Sequence, residues 1–242
     1  MLPKPLLFFL SSKFTNPKIT FDKKVQHLKL ALKFEFRGLL WWLFIIVVDG
    51  VISLLLKTKP ILASILSGHH GFKGMEPQKL LLLAVIVAPI LEELAFRGFM
   101  NFKKYMISLS VSTLSYFSMQ LFLRSVLELW VIILLTIAAF SICFLLLKNE
   151  KIYSYILVRR NFSFYSMSVL FAIVHLTNYD VALFSNFNFL LIPFAVFPQG
   201  LSAISLAYLR LKNGLIWSIF FHSFINFVIV TIYILSQNLT SH

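Results

Sequence analysis

Long apolar runs separated by short basic segments constrain the fold of this chain more than any other feature. A helix needs about 20 mostly apolar residues to cross a bilayer, and seven stretches of the 242-residue sequence come close to that length. They lie at roughly 38–56, 80–100, 106–123, 126–147, 163–178, 186–209 and 215–235. The sequence therefore predicts an all-α fold, a polytopic membrane helix bundle of about seven transmembrane helices.

The composition agrees with this prediction. Hydrophobic residues make up 59% of the chain and charged residues 13%, whereas soluble domains average about 45–50% apolar and about 25% charged residues. The net charge is +13, but the basic residues lie between apolar runs, so we predict the lipid bilayer as partner and no nucleic acid. The single cysteine, Cys143, excludes an internal disulfide and a cysteine-rich zinc site.

The apolar runs also suggest how the chain is organised. Residues 1–37 are predicted to form a basic cytoplasmic or interfacial arm on anionic lipid headgroups. A first transmembrane helix and loop occupy 38–79, the apolar core occupies 80–235, and 236–242 form a short tail. Lysines and arginines near the span ends favour a multi-pass protein of the cell membrane with a cytoplasmic N-terminus. The 57–79 loop, which carries four lysines, disagrees with this orientation.

Two adjacent carboxylates, Glu92 and Glu93, lie inside the second apolar run. A charge inside a bilayer costs about 2.5–3.5 kcal/mol on insertion scales, so this pair marks a functional site. Glu93 and Arg97 are four residues apart, which predicts an ion pair on one helix face. Glu92 points about 100° away and is left as the free carboxylate. The alternative explanation is a structural ion pair that holds packed helices together.

Two histidines fall in other apolar runs. His175 lies in the fifth run, and His222 lies in the seventh, four residues before Asn226 on the same helix face. Each is a weak signal alone, because helix–helix hydrogen bonding uses the same side chains. At 1.5 Å per residue their depths are roughly 10–18 Å, similar to that of Glu92, so we expect the three to meet. A carboxylate and two histidines can activate a water and stabilise an oxyanion, and could equally hold a divalent metal.

Three motifs thus occur in a fixed order, each in an apolar run: Glu92-Glu93-x-x-x-Arg97, Phe171-x-x-x-His175 and His222-x-x-x-Asn226. In this order they resemble the CPBP family, the CAAX-protease and bacteriocin-processing group of intramembrane peptidases, also called the Abi family. The similarity covers roughly residues 80–230, and it implies that residues 80–235 form a CPBP-like intramembrane peptidase core. It implies hydrolysis of a peptide bond in a small peptide or a membrane-protein tail, with Glu93 and Arg97 shaping the site. The chain looks like the bacterial, bacteriocin-associated members, which implies a role in bacteriocin maturation or self-immunity.

The resemblance also implies a role for each remaining motif residue. Glu92 would be the general base, assisted by His175, while His222 and Asn226 would bind the oxyanion or the scissile carbonyl. Family members have been described both as metalloproteases and as glutamate-dependent enzymes without an essential metal. Glu92, His175, His222 and Asn226 could form a zinc shell, although asparagine is an unusual zinc ligand. We favour the water-activating glutamate and leave the divalent metal open.

The residues leave two other functions open. The chain could be a non-catalytic membrane partner or regulator, such as an immunity or sensor-binding protein, in which the polar cluster serves packing. It could also be a transporter in which the buried glutamate and histidines relay protons. Replacing Glu92, His175 or His222 by alanine separates these functions, because only the packing role predicts loss of folded protein.

Overall fold

The computed structural model describes residues 19–60, 62, 74–179, 184 and 186–240. These residues form helices joined by short turns, so the predicted all-α fold is confirmed for them. The helices are α1 (Phe21–Leu56), α2 (residues 77–97), α3 (Lys104–Phe122), α4 (Leu129–Leu146), α5 (Glu150–Val158), α6 (Arg160–Val174), α7 (Ile192–Ala195), α8 (Phe197–Asn213) and α9 (Leu215–Thr240). Residues 1–18 of the predicted arm, most of the 57–79 loop and the last two residues of the predicted tail lie outside the described residues.

Three helices of the described chain are long and apolar enough to cross a membrane: Phe21–Leu56, Leu129–Leu146 and Leu215–Gln237. They coincide with the first, fourth and seventh predicted spans. A bent pair, Phe189–Ala195 and Phe197–Asn213, meets at 45° and gives a fourth if it is counted as one span. This apolar character is that of a membrane protein.

The other three predicted spans are helical but do not reach the length and apolarity of a span within the described residues. Helix α6 has 15 residues, fewer than the roughly 20 that a span requires. Helix α3 has 19 residues, but five of them are serines and one is a threonine, which lowers its hydropathy. Helix α2 is divided into short segments with different hydrogen-bond patterns. The prediction of seven spans is therefore matched by three helices, or by four with the bent pair.

Helix α1 runs without a break through residue 37, where the sequence suggested a boundary between an arm and a span. Residues 21–37 contain no glycine or proline and many good helix formers, so the helix has no local reason to stop there. Ala31 and Glu35 are buried on this helix. The second half of the predicted arm therefore packs on the bundle. At the other end of the chain, α9 continues into the predicted tail as far as Thr240.

Helix α1 packs closely along α8, which lies in the middle of the bundle. Gly38 marks the closest approach, because a Cβ atom at this position would lie 2.3 Å from Cδ1 of Leu201. Beside this contact is the main buried cluster, which draws on α1, α2, α6, α8 and α9: Ala31, Ala95, Phe96, Phe171, Ala203, Leu206, Tyr208, Leu209 and Phe221. The same five helices surround the polar residues described next.

Candidate functional site

The six predicted site residues come from three places in the chain that meet inside the bundle. Glu92, Glu93 and Arg97 lie at the end of α2, where an α-helical segment (Ala88–Glu92) passes into a π-helical one (Glu93–Arg97). His175 begins the 3-10 turn that follows α6. His222 and Asn226 lie on α9. Short π-helical segments within α-helices are frequent at functional sites.

Glu93 forms the buried centre of the cluster. Its Oε1 atom lies 3.3 Å from Nη1 of Arg97 and 3.1 Å from Nδ1 of His222. Glu93 is fully buried and Arg97 is 1% exposed. The predicted ion pair is present, and the carboxylate also binds an imidazole, which the spacing of four residues did not indicate.

Arg97 is held by contacts to both its guanidinium group and its backbone. Its Nη2 atom donates to the carbonyl of Ala203 at 3.4 Å. Its Cζ atom lies 4.0 Å from the centroid of the Phe171 ring, which is a close cation–π contact. Arg210 donates from Nε to the backbone carbonyl of Arg97 at 3.1 Å. Arg97 of α2 is thus held in place by residues of α6 and α8.

Glu92 faces both histidines. Its Oε2 atom lies 3.6 Å from Nε2 of His222 and 4.0 Å from Nε2 of His175. This oxygen is buried and has no hydrogen-bonding partner among the described residues. The expected separation of the two carboxylates is therefore seen: Glu93 is engaged behind the site, and Glu92 is directed at the imidazoles.

The hydrogen bonds of the two Nδ1 atoms fix how the imidazoles face Glu92. Nδ1 of His175 donates to the carbonyl of Phe171 at 2.7 Å, since a carbonyl can only accept. Nδ1 of His222 donates to the carboxylate of Glu93. A neutral imidazole that donates from Nδ1 carries a lone pair on Nε2. Two Nε2 atoms and a carboxylate oxygen therefore converge, and each Nε2 accepts a hydrogen bond when the imidazole is neutral and donates one when it is protonated. This arrangement suits a small group that both donates and accepts hydrogen bonds, such as a water molecule.

A cleft of about 320 Å³ contains the front of this cluster. Glu92, His175, His222 and Asn226 all line it, whereas Glu93 and Arg97 lie behind it. The cleft continues along α2 from Glu92 to Leu80, about 18 Å at 1.5 Å per residue. The part of the cleft between Glu92 and Leu80 is lined mainly by aliphatic side chains of α2 and α9. Its length suits a peptide segment of about five extended residues.

Asn226 lines the cleft and also forms a hydrogen bond to the backbone of α2. Its Nδ2 atom donates to the backbone carbonyl of Ala84 on α2 at 2.8 Å. One of its two N–H groups is thereby used within the protein. The other N–H and the Oδ1 atom remain for a ligand in the cleft.

The side chains that line the cleft include ligand types that zinc accepts. A carboxylate and two imidazole Nε2 atoms are suitable ligands, but tetrahedral zinc with bonds of about 2.0–2.1 Å places its ligands about 3.3 Å apart. The separations of 3.6 and 4.0 Å are wider, and the described residues contain no group of three His, Cys, Asp or Glu side chains arranged to hold a metal. The residues as placed do not fit the ion, and no step is derived through a metal below.

Two residues of the site carried no usable signal in the sequence. Phe171 is part of a sequence motif that indicates no role for it, yet its ring lies over Arg97 and its carbonyl orients His175. Glu35 on α1 is buried, faces the hydroxyls of Ser202 and Ser205, and interacts electrostatically with His222. In the sequence, Glu35 lies among lysines and apolar residues, a pattern that is typical of an interfacial helix. The burial of its carboxyl is therefore seen only in the packing of α1 on α8.

Comparisons of the chain with models of protein families, with characterised proteins and with solved structures returned no match.

Proposed function

We propose that this protein is an intramembrane endopeptidase that hydrolyses a peptide bond by means of a water activated at Glu92. The observation that carries the proposal is the convergence of Oε2 of Glu92 with Nε2 of His175 and Nε2 of His222 in an apolar cleft. The three ordered motifs that resemble the CPBP family support the same reaction. Oε2 of Glu92 is buried without a hydrogen-bonding partner among the described residues, as are Oε2 of Glu93 and Nη1 of Arg97. The feature that supports a reactive role is therefore the position of Glu92 in the cleft beside both histidines.

In the proposed reaction, Glu92 accepts a proton from the water, and the resulting hydroxide attacks the carbonyl carbon of the scissile bond. His175 assists by accepting a hydrogen bond from the water at Nε2. The oxyanion is stabilised by His222, which in this proposal donates from Nε2, and by the second N–H of Asn226. Glu93 orients the imidazole of His222 and stabilises its charged form, as the carboxylate of a catalytic triad does. Glu92 then returns its proton to the leaving amine, so protons balance over the cycle.

The membrane placement belongs to the same proposal. Helices α2, α3 and α6 and the bent pair would complete about seven spans around the three long apolar helices. The N-terminus would be cytoplasmic in the cell membrane, with the basic residues of α1 near anionic headgroups. The substrate would be a small peptide or a membrane-protein tail, in bacteriocin maturation or self-immunity.

The test compares Glu92→Gln with the matched surface variant Glu128→Gln, since Glu128 is exposed beside α4. Membranes from cells producing each form are analysed by mass spectrometry for peptide termini. We expect termini that depend on the protein to fall by at least about a hundredfold in Glu92→Gln and to persist in Glu128→Gln. Identical termini in both variants, with equal amounts of folded protein, would contradict hydrolysis and support the non-catalytic partner. Flux of a solute in sealed vesicles would instead support a transporter.

A further inference from the structure

The hydrogen-bond pattern of α2 changes just before the glutamates. Residues Leu82–Val87 are π-helical, and the N–H of Ala88 donates to the carbonyl of Leu83, five residues earlier. The next residue in this register is Pro89, which has no N–H. The carbonyl of Ala84, five residues before Pro89, therefore lacks a donor from its own helix.

The donor comes from α9. Nδ2 of Asn226 lies 2.8 Å from this carbonyl of Ala84. An unpaired carbonyl in an apolar region is costly, so the contact has a clear physical origin. The proline creates the free carbonyl, and the asparagine satisfies it.

The same contact fixes the asparagine in the cleft. With one N–H directed at Ala84, rotation of the planar amide is restricted, and the directions of its second N–H and of Oδ1 are set. Asn226 lies one helical turn after His222 and lines the cleft with it and Glu92. The amide is thereby held in one orientation beside the reactive groups.

We propose that Pro89 is a positioning residue of the site, which orients Asn226 by leaving the carbonyl of Ala84 free to bind it. The part of this inference that concerns hydrolysis rests on the proposed function. The structural part, an energetic coupling between Pro89 and Asn226, does not. A plain interhelical hydrogen bond would give Asn226 the same partner but would not depend on the proline.

The experiment is a double-mutant cycle on the full-length protein in detergent, with the thermal unfolding midpoint as the first readout. Asn226→Ala leaves the carbonyl unpaired, and we expect the midpoint to fall by about 2–4 °C. Pro89→Ala supplies an N–H at position 89 that can bond this carbonyl. In the double variant most of the loss due to Asn226→Ala should therefore disappear. Pro77→Ala is the matched control, because a proline at the first position of α2 replaces an N–H that has no helical partner.

The second readout is the turnover of a membrane peptide identified by its protein-dependent termini. We expect Pro89→Ala to lower kcat by about tenfold with KM unchanged, because the amide is no longer held in one orientation. Pro77→Ala should retain wild-type turnover. The double variant should be stable and still slow, which a purely structural role of Asn226 would not produce.

Each result decides part of the inference. Additive effects of Pro89→Ala and Asn226→Ala on the midpoint overturn the coupling. A coupled midpoint with wild-type kcat in Pro89→Ala overturns the positioning role. If the wild-type protein releases no peptide termini, the proposed function fails while the midpoints still judge the coupling. Should Pro89→Ala not fold, Asn226→Leu removes the donating NH2 at a similar side-chain volume, and wild-type stability of that variant overturns the contact.

Discussion

Nδ1 of His222 lies 3.1 Å from Oε1 of Glu93, the same carboxylate oxygen that lies 3.3 Å from Nη1 of Arg97. One buried oxygen therefore joins the ion pair of α2 to the imidazole of α9. This contact holds Nε2 of His222 toward Glu92. Glu93 therefore contacts both Arg97, behind the cleft, and His222, which lines the cleft.

The variant Glu93→Gln tests this link. It keeps the shape of the side chain but leaves Arg97 without its counter-charge in a buried position. We expect the free energy of unfolding to fall by about 3–5 kcal/mol. Adding Arg97→Met should recover most of that loss, because replacing a whole buried pair by apolar groups is often neutral. Hydrolysis should be lost in Glu93→Gln and should not return in the double variant, since His222 no longer faces a carboxylate at position 93 in either variant.

The exposed pair of Lys104 and Glu150, at 2.6 Å, provides the control. Glu150→Gln should change stability little, because surface ion pairs are screened by water. Unfolding in detergent and the yield of peptide termini are measured for all variants. Full hydrolysis by the double variant Glu93→Gln, Arg97→Met would show that the carboxylate of Glu93 does not orient the imidazole of His222.

Phe171→Leu tests the aromatic cover of Arg97. The ring lies 4.0 Å from Cζ of Arg97, 5.2 Å from the ring of Phe96 and 5.8 Å from that of His222. Its loss should cost about 2 kcal/mol of stability and lower turnover about tenfold, since Arg97 and His222 are held less firmly. The carbonyl that orients His175 is unchanged. Phe220→Leu on the exposed face of α9 is the control, and equal effects at both positions would argue against the cover.

The sequence located the glutamates and histidines because charged and imidazole groups are conspicuous in apolar runs. The pairing of Glu93 with Arg97 follows from helical spacing alone. The bond from His222 to Glu93 does not, because it depends on how α9 packs against α2. The π-helical segments are also invisible in the sequence, where Pro89 signals only a missing N–H. Predicted spans differed where hydroxyl groups in α3 or the short length of α6 reduce their apolar character.

The burial of Glu35 also depends on helix packing and could not be predicted from the sequence. It leads to a prediction about two substitutions at this position. The carboxyl is 6% exposed, faces two serine hydroxyls and forms no ion pair among the described residues. Glu35→Gln retains a hydrogen-bonding group of the same shape without a charge, so we expect stability to change by less than about 1 kcal/mol. Glu35→Lys places a cation in the packed contact of α1 with α8, and little folded protein should accumulate.

The exposed residue Glu128 again provides a matched control for charge reversal. Glu128→Lys should accumulate at the level of the wild-type protein. Folded protein is measured by size-exclusion chromatography in detergent. Normal accumulation of Glu35→Lys would mean that α1 separates from α8 in the membrane and that Glu35 is solvated.

Metal removal is expected to leave hydrolysis unchanged. The proposed steps use Glu92, His175, His222 and Asn226 alone, and Oε2 of Glu92 lies farther from Nε2 of each histidine than the ligands of a zinc site lie from one another. The protein is dialysed against a zinc chelator, its metal content is measured, and the yield of peptide termini is compared before and after. Loss of hydrolysis that zinc restores would instead assign these side chains to a metal and remove Glu92 as the free base.

The contact of Gly38 with Leu201 gives the sharpest test of how α1 joins the bundle. A Cβ atom at position 38 would lie 2.3 Å from Cδ1 of Leu201, so Gly38→Ala should lower stability by about 1–3 kcal/mol. Leu201→Ala in the same chain removes the clashing methyl groups and should offset part of that loss, so the two effects are not additive. Gly50→Ala on the same helix is the control, because no atom lies within 4 Å of the added Cβ and alanine favours a helix by about 1 kcal/mol over glycine. Unfolding midpoints in detergent should therefore be lower for Gly38→Ala than for Gly50→Ala, and equal upward shifts would mean that the side chain of Leu201 does not constrain the contact of α1 with α8.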